Sequence, residues 1–284
     1  MQVKATTKVY GIFGHPVSHS LSPVMHNAAF RKLNLDCVYV AFDIHPDNLE
    51  SATSAIKSMG ISGVNVTIPH KERVISFLDQ TAPEVAQTGA VNTVKNEAGK
   101  LTGYNTDVQG FLMAINGDLG VTPKGLRVCL LGAGGAARAV LTALCMTGAS
   151  EIFIINRTLH KAMTLASEFR KSYKRITIES YSLEDTGSVE RSLRLADLLI
   201  NATSTGMEGA ASLELRLELL PKQSLVYDLV YKPKQTALLK KAKELGLKSA
   251  GGISMLLYQG AKSLEIWTGE TAPIDEMRKA IELT

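Results

Sequence analysis

The stretch RVCLLGAGGAARAVLTALCMTGASEIFIINRT, residues 127–158, decides the fold. Residues 128–131 are a short apolar run that stops at a glycine, which predicts a buried strand. Gly132, Ala133, Gly134, Gly135 and Ala136 then open a G-x-G-x-x-A turn into an alanine-rich helix that continues through Val140 and Leu144. A second apolar run ends at Ile155. Only small residues let a backbone come close to a pyrophosphate, whose charge the free amides of the helix N-terminus then meet. The strand before the turn and the helix and strand after it give the motif its weight, since the glycine pattern alone is common.

The end of the second strand chooses the dinucleotide. In the NAD arrangement a carboxylate there binds the adenosine ribose hydroxyls and repels a 2′-phosphate. This chain has Asn156, Arg157 and Thr158 instead, with Lys161 one helical turn further on. A guanidinium fork, a hydroxyl and an ammonium suit a phosphate. The cofactor read from these residues is NADP. Helix capping by Asn156 and Thr158 is compatible with that reading.

Outward from this stretch the rhythm is strand, helix, strand throughout. Toward the N-terminus come VYGIFG (9–14), a helix over 26–35, CVYVAFDI (37–44), a helix over about 48–59 and GVNVTI (63–68), stopped by Pro69. This alternation predicts an open α/β sheet. The segment 117–125, GDLGVTPKG, lacks periodicity and reads as the connection to a second sheet. That sheet continues with a helix over about 161–169, strands in RITIES, LADLLINAT and SLVYDLV, and the helix TALLKKAKELG with Gly246 as its C-terminal cap. The last two helices, MLLYQGAKSLEIW and DEMRKAIEL, have no strand between them and are expected to return to the first domain as a flank. The fold class is therefore α/β in two domains: residues 1–106 with 252–284, and a Rossmann-type domain over 107–251.

Composition sets limits on function. With 284 residues, 45% hydrophobic and 20% charged, the chain has material for two cores. A net charge of +4 without blocks of like charge argues against nucleic acid and favours small anionic ligands. The longest apolar region, 128–155, is broken by Gly132, Gly134, Gly135, Arg138, Gly148 and Glu151, so no membrane span is expected. Cys37, Cys129 and Cys145 are scattered without metal-ligand spacing and read as reduced thiols. Nothing at the N-terminus resembles a secretion signal, and the expected compartment is the cytoplasm.

The first domain carries polar clusters where strands should end: GHPVSHSLSPVMHN (14–27), GVNVTIPHK (63–71), AVNTV (90–94) and GYNTD (103–107). Open α/β sheets form their clefts there. Taken in order with GAGGAARA, NRT, NATSTGM, YKP and GISMLLYQ, these motifs resemble the shikimate/quinate dehydrogenase family over nearly the whole chain. The resemblance implies NADPH-dependent reduction of 3-dehydroshikimate to shikimate, on the pathway to chorismate and the aromatic amino acids. It implies that Ser20 and Ser22 bind the substrate carboxylate, that Asn65 and Thr67 reach the ring substituents, that Asn92 and Gln259 join the same substrate site, and that Tyr231 lies in a turn near the substrate. Lys71 and Asp107 match the family's catalytic pair, with Lys71 as proton donor and Asp107 holding it. On the cofactor side Ala202, Thr203, Ser204, Gly206 and Met207 match the loop beside the nicotinamide, joined by Leu229, Gly252 and Met255. His15, His19, His26 and His70 stay outside the proton transfer, and the family uses no metal. Partners are the small-molecule substrate alone, with the chain a monomer or homodimer.

Two alternatives stand beside this reading. A sister branch tends to use NAD and accepts quinate; Asn156, Arg157, Thr158 and Lys161, with both Ser20 and Ser22, weigh against it. A non-enzymatic NADP-binding sensor on the same fold is the other, since fold does not fix function. Such a sensor would have no need of both Lys71 and Asp107.

Overall fold

The computed structural model describes residues 3–207 and 214–283. Its contacts divide the chain into two compact units, Met1–Gly110 with Leu256–Thr284, and Phe111–Met255.

In the first unit, β1 (Lys8–Gly14), α1 (Ser22–Lys32), β2 (Cys37–Asp43), α2 (Leu49–Ser58) and β3 (Gly63–Val66) follow the alternation of apolar and amphipathic runs. Helix α1 starts four residues before the expected boundary because Pro23 supplies a preset first-turn φ at Ser22-Pro23. After β3 come β4 (Gln80–Thr81), α3 (Pro83–Thr88), β5 (Thr93–Glu97) and β6 (Lys100–Tyr104). The sheet order is β2-β1-β3-β5-β6-β4. β1, β2 and β3 are parallel, whereas β5 is antiparallel to both β3 and β6. Register places Ile12, Asn65, Thr93 and Tyr104 on one rung. The C-terminal ends of β1, β3 and β6 and the N-terminal end of β5 therefore meet on one side, and the loops leaving them carry the polar clusters.

Helix α4 (Asp107–Leu119) occupies the region before the expected connection and takes in its first residues, 117–119. Gly110 and Gly117 interrupt its apolar pattern, which hides the helical period. Gly110 is required by packing: a Cβ there would lie 2.9 Å from the Gln259 amide nitrogen on α9 (Ile253–Thr268). Helix α10 (Ile274–Glu282) packs on α1, so the C-terminal helices return to the first unit. Trp267 of α9 lies against Tyr10 and donates its indole N–H to the Val94 carbonyl at 2.9 Å.

The second unit holds β7 (Arg127–Leu131), α5 (Gly135–Thr147), β8 (Glu151–Asn156), α6 (Leu159–Ser172), β9 (Thr177–Ser182), α7 (Thr186–Leu195), β10 (Leu198–Asn201), β11 (Leu225–Asp228), α8 (Ala237–Glu244) and β12 (Lys248–Gly251). All its strands are parallel in the order β12-β11-β10-β7-β8-β9. The order reverses between β7 and β10, which makes that crevice the ligand-binding switch point of a doubly wound sheet. Strands buried on both faces explain the continuous runs of residues 128–131 and 152–155, each fully or almost fully buried. Among the described residues no helix is long and apolar enough to cross a membrane.

Candidate active site

Within the first unit, the Lys71 ammonium donates to Asp107 Oδ2 at 2.6 Å, with side-chain exposures of 15% and 6%. The pair is thus shielded, and its second carboxylate oxygen also needs a partner. Asn92 supplies it: its Nδ2 lies 2.9 Å from Asp107 Oδ1 and also faces Thr106 Oγ1 at 2.8 Å and Gln259 Oε1 at 3.2 Å. Asn92 Oδ1 accepts from the Thr106 amide at 2.8 Å, which fixes which end of this side chain is which. Local sequence sets the carboxylate's place: Asn105 Oδ1 accepts from the Asp107 amide at 3.1 Å, an Asx turn that starts α4 with Asp107 in its first turn. A carboxylate there is favoured by the helix dipole.

Asn65 is held at both ends. The Tyr39 phenol donates to its Oδ1 at 2.7 Å, and its Nδ2 faces the Asn92 carbonyl, Thr93 Oγ1 and Ser263 Oγ at 3.1, 3.2 and 3.0 Å. Burial raises the Tyr39 pKa well above the ordinary phenol value, while the Ser22 hydroxyl beside it pulls the other way. Ser22 is buried, and its amide donates to Ser20 Oγ at 3.2 Å. Thr67 follows β3, and its methyl occupies the space a Cβ on Gly14 would need. Tyr231 belongs to the second unit, where burial pushes its phenol pKa up.

In the second unit Gly132 has φ +111°, and a Cβ on it would stand 3.1 Å from the Ala202 carbonyl oxygen. The two loops at the switch point therefore approach as closely as glycine allows. Gly134 is the N-cap of α5 and provides no side-chain cap, which leaves the helix amides open toward the turn of Gly132, Ala133, Gly134, Gly135 and Ala136. Asn156 Nδ2 donates to the Thr158 carbonyl at 2.9 Å and shapes the next turn. Thr158 is the N-cap of α6 by backbone, with no cap bond from its side chain, and Arg157 and Lys161 stand exposed beside it. A cradle that excludes a Cβ, open helix amides and two exposed cations fit a phosphorylated dinucleotide.

The loop Ala202, Thr203, Ser204, Gly206 and Met207 hangs from Asn201, whose Oδ1 accepts from the Thr203 amide and hydroxyl at 3.1 and 2.7 Å. Gly206 has φ +94°, which only glycine adopts without strain. Gly252 lies against Leu229 so tightly that a Cβ would come 2.0 Å from the Leu229 carbonyl oxygen. Met255 is buried in the first turn of α9.

Sequence reasoning missed Tyr39, Thr93, Thr106 and Ser263, which hold the amides, and Asp228, which anchors Asn201 at 2.9 Å. One signal was available: Ser263 follows Gln259 by one helical turn, so the two polar groups share one face of the helix.

A dinucleotide cradle in one unit and a shielded Lys–Asp pair set among amides in the other are the parts of a nicotinamide-dependent dehydrogenase. Comparison with known proteins narrows the class. The family described as "Shikimate dehydrogenase substrate binding domain" matches residues 12–94, "Shikimate / quinate 5-dehydrogenase" residues 119–210, and "Shikimate 5'-dehydrogenase C-terminal domain" residues 252–282. Shikimate dehydrogenase (NADP(+)) of Desulforamulus reducens is 45% identical, over 99% of this chain and 96% of its own length. A crystal structure of a shikimate dehydrogenase in complex with NADP+ superposes with a TM-score of 0.90 at 41% identity, covering 99% of this chain and 96% of the other. That of the Thermus thermophilus shikimate 5-dehydrogenase, in complex with NADP(H) and shikimate, gives 0.86 at 38% identity, covering 97% and 99%. The chain belongs to the shikimate dehydrogenase family.

Proposed function

We propose that this chain catalyses the reversible NADPH-dependent reduction of 3-dehydroshikimate to shikimate, a step of the shikimate pathway. The observation that carries the reading is the Lys71–Asp107 ion pair, shielded from solvent and tied through Asn92 to the surrounding amides. When bound, the nicotinamide supplies the hydride to the C3 carbonyl carbon in the reductive direction. Negative charge then grows on the C3 oxygen, and Lys71 Nζ gives it a proton. Asp107 holds that ammonium in place and accepts from the neighbouring C4 hydroxyl. Because the two groups share a short hydrogen bond, the proton's microscopic position belongs to the pair. In the oxidative direction the same pair takes up the proton.

Ser20 and Ser22 bind the ring carboxylate, and Asn65, Thr67, Asn92, Gln259 and Tyr231 bind or border the hydroxyls. A site that hydrogen-bonds each hydroxyl rejects analogues lacking one by large factors. In the second unit the turn from Gly132 to Ala136 takes the pyrophosphate. Arg157, Thr158 and Lys161 take the 2′-phosphate, with Asn156 shaping their turn. Ala202, Thr203, Ser204, Gly206 and Met207, with Leu229, Gly252 and Met255, border the nicotinamide. The three buried free thiols, Cys37, Cys129 and Cys145, suit a reducing cytoplasm.

The test is Lys71→Ala. General acid catalysis is worth about 10²–10⁴-fold, so kcat should fall by that factor while the KM for NADP stays near the wild-type value. A variant that keeps full kcat would remove Lys71 from the reaction.

A further inference from the structure

We infer that Ser263 is a positioning residue for the substrate site, an inference that rests on the functional reading above and deepens it. Ser263 is fully buried on α9, one turn beyond Gln259. Fully buried, it meets only other residues, so whatever it does must pass through them. A serine whose only task was to sit in a helix would need no acceptor beyond the Gln259 carbonyl, 2.9 Å away. Its oxygen has three further neighbours: Thr93 Oγ1 at 2.7 Å, Asn65 Nδ2 at 3.0 Å and Thr106 Oγ1 at 3.3 Å.

These contacts connect side chains far apart in sequence. Asn65 Nδ2 has two hydrogens. The Asn92 carbonyl, an obligate acceptor, attracts that end of the amide, and the Ser263 and Thr93 oxygens complete its surroundings. The single Ser263 hydrogen goes to Thr93 Oγ1, the shortest of its contacts at 2.7 Å, which leaves the Thr93 hydroxyl to donate to Asn92 Oδ1 at 3.0 Å, and Asn92 Nδ2 reaches the Asp107 carboxylate. Ser263 is thus joined through Thr93 and Asn92 to Asp107, and so to Lys71. Buried networks of this sort are worth more than their separate bonds, because each member orients the next. The amide ends of Asn65 and Asn92 are set by Tyr39, the Asn92 carbonyl and the Thr106 amide; Ser263 holds these two side chains in place and, through them, the geometry of the proton-transferring pair.

The experiment compares steady-state kinetics and thermal unfolding of the wild type, Ser263→Ala, Thr93→Val and the double variant. Losing one hydrogen-bond partner in this network should lower kcat/KM for shikimate by about tenfold in either single variant. The KM for NADP should not change, since the cofactor residues lie in the other unit. The double variant should fall by about the same tenfold, because both substitutions cut one connection; independent sites would give about a hundredfold. Ser263→Cys, with similar volume and a weak acceptor, should recover part of the loss.

Wild-type kinetics in both single variants would overturn the inference, as would a parallel worsening of shikimate kinetics, NADP KM and thermal midpoint, which marks a merely structural residue. If Ser263→Ala does not fold, Thr93→Val with Ser263→Cys still decides between these outcomes. A wild-type protein that turns over no shikimate defeats the functional reading and this inference together. Wild-type turnover with unaffected variants defeats only the inference.

Discussion

His26 is completely buried, stacked on Tyr39 with ring centroids 4.4 Å apart, and near Phe30 and Trp267. Neither ring nitrogen has a hydrogen-bond partner among the described residues. Burial pushes its pKa down from 6.5 to about 3, against a smaller upward pull from Asn65. The unfolded chain therefore takes up a proton as pH falls below 6.5, while the folded chain remains neutral there until about 3. His26 thus withdraws stability progressively through that window, by up to ~1.4 kcal/mol per pH unit. Denaturant unfolding at several pH values within the window should show a shallower acid loss in His26→Leu than in the wild type. Only the difference between the two slopes counts, since carboxylates add their own dependence to both. Equal slopes would contradict a buried neutral imidazole.

At the scale of elements, Asn201 and Asp228 are register partners that end β10 and β11. Asp228 Oδ1 accepts from Asn201 Nδ2 and the Val230 amide at 2.9 and 3.1 Å, and Oδ2 accepts from Thr236 Oγ1 at 2.7 Å. Burial raises the Asp228 pKa, and these three donors oppose that shift. One carboxyl group therefore ties the loop that follows β10 to the segment that leads into α8, where Thr236 is also the N-cap. Asp228→Ala leaves three buried donors unmatched and should cost about 3 kcal/mol, with a raised KM for NADP and an unchanged KM for shikimate. Chemical denaturation and steady-state kinetics check both parts; an unaffected NADP KM would separate this anchor from cofactor binding.

Elements differ in how far the sequence announces them. The unit from β7 to β8 is legible because a doubly buried strand is uniformly apolar and its glycine turn sits between such a strand and a helix. The β5–β6 hairpin escaped notice because its turn has Ala98 at φ +51° before Gly99 at φ +88°. Such a turn ordinarily announces itself with Asn or Asp in the first place. In the site, Lys71 and Asp107 are 36 residues apart, and Asn65 and Ser263 are 198 apart. No local pattern records such encounters. The family motifs lead to the residues proposed to face the ligands, whereas supports such as Tyr39 and Asp228 emerge only when the register brings them together.

For the whole molecule, the chain leaves the first unit within α4 and returns to it within α9, so the first unit is built from both ends of the sequence and the second from its middle. Each unit has its own sheet and its own set of polar groups: buried amides, hydroxyls and the Lys71–Asp107 pair in the first, a glycine turn and the exposed Arg157 and Lys161 in the second. The central claim joins them, and it is tested most directly by oxidation of shikimate, followed through the absorbance of the reduced nicotinamide, with NADP and NAD in parallel and quinate as the competing substrate. The charge-assisted contacts proposed for Arg157 and Lys161 should favour NADP by about 100-fold in kcat/KM, and Arg157→Ala should remove much of that margin. Shikimate with NADP should exceed every other combination. Preference for NAD, equal use of quinate, or no turnover of shikimate would contradict the account.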